Sequence, residues 1–145
     1  MLNRRILRIK AFKVLYSYAE NQSMSLKEAE LQLEKSCEAT RDLYLFMLAL
    51  ISPLTAEAKA RIEAARNKFN PTEEEKNPNL KFTRNALAVL LDEDPDFQKI
   101  ISRKKLSWDQ YDEFLRHLYD SVKSSDYFAE YMADPEESVK KDADL

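Results

Sequence analysis

Glycine is missing from all 145 residues, and cysteine, histidine and tryptophan occur once each. At an ordinary usage of ~7% a chain of this length would hold on the order of ten glycines. Without them there is no residue that enters left-handed backbone freely in tight hairpins and phosphate-cradling loops. P-loops, dinucleotide fingerprints and nucleophile elbows are thereby excluded. The single Cys37 excludes a disulfide framework and a thiolate-rich metal site within one chain, and reads as a small core residue. Long apolar runs are also lacking: the longest, LYLFMLALI at 43–51, has about half of the ~20 residues that a bilayer-crossing helix needs, so no membrane span is expected. The N-terminus has charge but no apolar h-region and no small-residue cleavage site, so no secretory signal is read and a cytoplasmic location is expected.

What is present favours helices. Hydrophobic residues make up 44% and charged residues 34% of the chain, and no strand-like alternation persists beyond six residues, so the expected class is all-α, a helical bundle. Asn3 can cap a first helix in which Leu7, Ala11, Val14, Leu15 and Tyr18 form one stripe, expected to face the 43–51 run. SLKE at 25–28 is a capping box opening a second helix through Leu26, Ala29, Leu33 and Cys37. Thr40 or Asp42 is expected to start a third, the central helix of the bundle, which Pro53 ends or kinks before Leu54, Ala58, Ile62, Ala65 and Phe69 continue on helical spacing. The two Asn-Pro pairs of NPTEEEKNPN at 70–79 mark the best internal boundary, giving a bundle over 1–70, a linker over 71–79 and a further helical region over 80–145.

Beyond that boundary Phe82, Ala86, Val89 and Leu90 mark a helix, Asp94 caps the next with Pro95 at its first position, and SWDQ at 107–110 has capping-box form ahead of Trp108, Tyr111, Leu115, Leu118 and Val122. A last start signal, DPEE at 134–137, is followed by only Val139, Ala143 and Leu145 for burial. That pattern predicts a poorly anchored end and a chain that is the front part of a longer protein.

The residues that carry chemistry are sparse. His117 has no serine or cysteine motif aimed at it and reads as a surface or boundary histidine. The acidic clusters at 73–75, 92–96 and 134–137 have neither interleaved histidines nor the glycine of a calcium loop, and suit helix starts, where negative charge favours the dipole. No catalytic residue, metal ligand or cofactor site is therefore expected.

The opening stretch differs. Residues 1–19 carry five positive charges, Arg4, Arg5, Arg8, Lys10 and Lys13, and no negative one, while the rest of the chain has 18 basic against 26 acidic residues. On a helix Arg4, Arg5 and Arg8 share about a quarter of the circumference. Such an edge suits a phosphate backbone, with arginine forks making bidentate contacts, and by itself separates RNA from neither DNA, lipid nor an acidic protein.

RRILRIKAFKVLY at 4–16 resembles the opening of the NusB family of bacterial transcription antitermination factors, of the form R-R-x-x-R-x-x-A-Φ-x-x-L-Y, matched by Arg4, Arg5, Arg8, Ala11, Phe12, Leu15 and Tyr16. The helix order to about Phe69 is similar to that family's N-terminal half, and EEEKNPN is similar to the long NusB-like proteins of the Bacteroidetes lineage, which insert helices before the second half. Ile9 stands where the family usually has an acidic residue, and the family's C-terminal half has no counterpart here. The resemblance implies a NusB-like N-terminal bundle followed by additional helices. It also implies recognition of a short single-stranded RNA element of ribosomal transcripts, jointly with a small-subunit ribosomal protein in the transcription elongation complex, through Arg4, Arg5, Arg8, Lys10 and Lys13, with no cofactor. The alternative from the residues alone is a helical protein–protein interaction module without RNA binding.

Overall fold

The computed structural model describes residues 3–145, and 75% of the chain is helical with no strand among the described residues. The all-α expectation holds. Among the described residues nine α-helices follow one another: α1 (Arg4–Glu20), α2 (Leu26–Leu48), α3 (Ile51–Arg66), α4 (Glu73–Lys76), α5 (Ala86–Glu93), α6 (Pro95–Lys104), α7 (Asp112–Lys123), α8 (Asp126–Ala133) and α9 (Val139–Asp144), with a 3₁₀ turn at Phe82–Arg84. By internal contact the chain divides into two units, Met1–Phe46 and Met47–Leu145.

The first unit is a helical hairpin. Asn3 caps α1 as its sequence predicts, its side-chain oxygen accepting from the Ile6 N–H at 3.0 Å. Ser25 and Glu28 close the predicted capping box at the start of α2, the Ser25 N–H donating to Glu28 at 2.7 Å and the Glu28 N–H to the Ser25 hydroxyl at 3.2 Å. Thr40 and Asp42 do not begin a new helix. α2 runs through them, and Thr40 donates its hydroxyl to the Ser36 carbonyl one turn back, the habit of a residue inside a helix. A potential cap ends nothing when no breaker precedes it, and 37–48 contains no proline or glycine.

Burial in this unit is slight. Ala29 is the one buried side chain of α2, α1 has none, and of the predicted stripe only Ala11 and Val14 are half-buried, while Leu7, Leu15 and Tyr18 remain exposed. The 43–51 run is not a central helix either, since Leu43, Tyr44 and Met47 are all exposed. Within this unit each helix has one neighbour, so that neighbour covers one arc of an apolar helix and leaves the other uncovered.

The second unit has the core. α2 stops at Leu48, Ala49 and Leu50 turn, and Pro53 takes the third position of α3, where its missing N–H and its clash with a carbonyl four residues back are relieved by the turn. α3 is the central helix, packing against α4, α5, α7 and the 3₁₀ turn. Ala58, 1% exposed, gives α3 a flat face on which Phe82, Tyr119, Phe128 and Tyr131 assemble, flanked by Leu54, Val122 and Met132. Phe82 meets Phe128 edge-on at 5.3 Å between ring centres and Tyr119 at 6.1 Å. Although the longest uninterrupted apolar run predicts no membrane span, the helical stretch Leu26–Arg66 is long and apolar enough to cross a membrane by length and composition, and only 11% of its apolar window is buried.

Several predicted details shift. α3 ends at Arg66, so Phe69 lies beyond it, fully exposed rather than on the helical stripe. The 70–79 stretch holds α4, started by a Thr72–Glu75 capping box, and Asn79 donates to the Met132 carbonyl at 2.9 Å. Ser107 does not form the expected box with Gln110. Its hydroxyl engages Asp109, and α7 begins only at Asp112, leaving Trp108 buried against Tyr111 and Phe114. Asp94 and Pro95 open α6 as predicted. That helix ends on Lys105 at φ 55° and ψ 43°, the left-handed position that glycine normally fills.

The chain's end is anchored, contrary to expectation, by polar contacts rather than apolar area. Buried Asp142 accepts from the Tyr131 hydroxyl at 2.7 Å and the Ala86 N–H at 2.6 Å, and the Asn85 amide donates to its carbonyl at 3.3 Å. Burial first, then this carboxylate, pushes the Tyr131 phenol well up. Buried Lys81 donates to the carbonyls of Tyr131 and Asp134, at 2.8 and 2.7 Å, closing the C-terminus of α8.

Candidate nucleic-acid interface

The basic opening of the sequence becomes the first three turns of α1. Arg4, Arg5 and Arg8 are exposed, and among the described residues none of them has an ion-pair partner. The first turn of α1 holds no acidic side chain. The positive end of a helix dipole favours anions, and a cation placed there opposes the dipole by ~0.3–1 kcal/mol. Arg4 and Arg5 therefore sit where helix stability argues against them.

The other two predicted residues part company. Lys13 is exposed on the same helix. Lys10 is half-buried and donates to the Ser36 carbonyl at 2.7 Å and the Ser36 hydroxyl at 2.8 Å, joining α1 to α2. Two of its three N–H donors are spent within the protein.

The geometry adds two residues that the basic pattern alone missed. Arg5, Arg8, Phe12 and Tyr16 follow at spacings of three, four and four, which places them on one stripe of a helix. Phe12 is 70% exposed and Tyr16 61%, whereas Ala11 and Val14 on the opposite arc are half-buried. Guanidinium groups and open aromatic faces on one stripe can meet phosphates and unstacked bases respectively. The signal was available in the sequence, because counting from Arg5 in helical steps reaches both rings.

The remaining candidates have ordinary surroundings. Arg103 and Lys104 end α6 with Lys105, where positive charge complements the dipole. His117 is exposed, its Nε2 4.0 Å from Glu113 on the same helix. Arg61 holds Glu57 at 2.7 Å and Asp120, lies 5.0 Å from the Tyr119 ring centre, and keeps the Asp120 carboxyl below the usual carboxylate range. A cleft of about 610 Å³ beside α3 and α7 is lined by Glu57, Asp92, Asp109 and Asp112 together with Trp108 and Arg116. Among the described residues no three metal-binding side chains come together. Compared with known proteins, the chain matches no family model, and no curated protein or solved structure matches it.

Proposed function

We propose that this protein is a non-catalytic RNA-binding factor of the antitermination type, engaging a short single-stranded element of ribosomal transcripts together with a small-subunit ribosomal protein. The observation that carries the reading is the outer stripe of α1. Three arginines without acidic partners crowd the positive end of a helix, and two of them share a face with the open rings of Phe12 and Tyr16. Arginine forks supply sequence-independent backbone affinity, while stacked rings favour single strands, whose bases are free to leave the stack. The likeness of residues 4–16 to the NusB opening supplies the transcript and the protein partner.

Titrating the whole protein into a fluorescent single-stranded RNA across a salt series tests this. With three phosphates neutralised, log K falls against log salt with a slope of about −2. Replacing Arg4, Arg5 and Arg8 by alanine removes most of that slope, and replacing Phe12 and Tyr16 by alanine lowers affinity roughly 10-fold or more with the slope kept. Replacing Lys99, Arg103, Lys104 and Lys105 leaves both nearly unchanged. Equal losses from the two basic sets would reduce the binding to non-specific electrostatics. No loss from the arginine set would favour the second reading, a helical protein-interaction module, for which the exposed apolar side chains of α1 and α2 speak.

A further inference from the structure

We infer that the groove beneath α9 is an exchangeable docking site for an acidic helical segment of a partner protein, closed in the free chain by α9 itself. The groove lies within the second unit and draws on nothing in α1. Its chemistry is set out by Asp142, which is seated in it: one carboxylate oxygen accepts from the Tyr131 hydroxyl at 2.7 Å, the other from the Ala86 N–H at 2.6 Å. Asn85, 2% exposed, donates its side-chain amide to the Asp142 carbonyl at 3.3 Å. Ala86 is the first residue of α5, so the carboxylate also meets the positive end of that helix. These donors are held by the body of the unit. Asn85 caps α5 through the Ala88 N–H, and Tyr131 packs against Phe128, so the carboxylate seat remains when α9 leaves.

α9 itself is lightly held. It has six residues, too few for a helix stable in isolation, and Asp142 is its only buried residue. Val139 and Leu145 are 44% and 40% exposed, so the contact removes little apolar area from water. Beside the helix lies a cavity of about 310 Å³ whose lining includes Lys81, Arg84, Glu137 and Asp142. When the α9 segment lifts, Glu137 and Asp142 go with it and the remaining wall carries Lys81 and Arg84. Arg84 is exposed and has no ion-pair partner among the described residues. The vacated groove is thus cationic, with fixed donors for one carboxylate, and selects an acidic occupant. The α9 segment supplies the pattern: a serine that caps a helix, with aspartate four residues on, as Ser138 and Asp142 stand.

The probe is the free peptide of residues 134–145, titrated into the whole nitrogen-15-labelled protein with the Ala86 amide resonance as readout. The short connection at 134–138 keeps α9 at an effective concentration in the millimolar range, so a peptide in trans competes only at similar concentrations. In Asp142→Ala the seat has lost its own carboxylate. The peptide is expected to bind that variant with a Kd of roughly 0.1–1 mM and to return the Ala86 resonance towards its position in the unaltered protein. The unaltered protein binds it about 10-fold or more weakly, because only the open fraction is competent. The same peptide with Asp142→Ala leaves the resonance unmoved in both. The arm with the unaltered protein needs no substitution and decides the matter even where Asp142→Ala does not fold. An Ala86 resonance that never moves, or that moves equally with the altered peptide, would overturn the proposal. Dimers of the unaltered protein in sedimentation equilibrium that Asp142→Ala dissociates would also overturn it, assigning the groove to α9 of a second copy.

Discussion

The two units of this chain are built from the same kind of helix and put it to opposite use. In Met47–Leu145 the apolar faces of α3, α7 and α8 converge on Ala58, Phe82, Tyr119, Phe128 and Tyr131, and charged groups are paired, as Arg61 is with Glu57 and Asp120. In Met1–Phe46 the apolar side chains of α1 face outward on more than one arc and the arginines at its start have no acidic partner among the described residues. A helix that leaves aromatic rings and guanidiniums in water forgoes stability it could have had. The difference teaches that helical periodicity alone does not build a core: the first unit leaves its apolar and basic side chains open, whereas the second gathers its own around Ala58.

The sharpest contrast is between two phenylalanines. Phe82→Ala leaves a hole under Tyr119 and Phe128 and is expected to destabilise the second unit by about 3–5 kcal/mol in urea unfolding. Phe12→Ala, at an exposed position, is expected to change stability by less than about 0.5 kcal/mol and to act only on binding. A comparable loss from both would erase the distinction between the units.

Smaller effects probe how the second unit closes its end. Asp142→Ala leaves the Tyr131 hydroxyl and the Ala86 N–H without their acceptor, expected to be about 1–3 kcal/mol less stable, with exchange of the α9 amides accelerated before those of α7. Least of all, Lys105→Gly relieves a left-handed lysine and is expected to raise stability by about 1 kcal/mol, seen as a higher urea midpoint with an unchanged slope.

Which of these features the sequence announced depends on how local their causes are. Asn3, the Ser25–Glu28 box and Asp94–Pro95 act within one turn, and each capped its helix as read. Thr40 and Ser107 show the limit of such signals, since Thr40 sits inside an unbroken helix and Ser107 is engaged by Asp109. Periodicity revealed that α1 has an apolar stripe, but whether a stripe is covered depends on neighbours supplied from elsewhere in the chain. That is why Leu15 and the 43–51 run were placed in a core they do not enter. The α9 clasp was illegible for a related reason: Asp142, Tyr131 and Ala86 come from three separate elements, and nothing near Asp142 in sequence signals burial. For the candidate interface the basic residues were legible from composition, and the stacking rings needed the helix to be folded and its exposed side known.

Hydrogen exchange followed with and without single-stranded RNA tests the central claim, that the outer stripe of α1 is the binding surface of a unit that has little core of its own. The account predicts weak protection across α1 in the free protein, a marked rise there on adding RNA, and no change in the already protected amides of α7 and α8. An α1 that is as strongly protected as α7 when free, or that gains nothing when RNA is added, would contradict it.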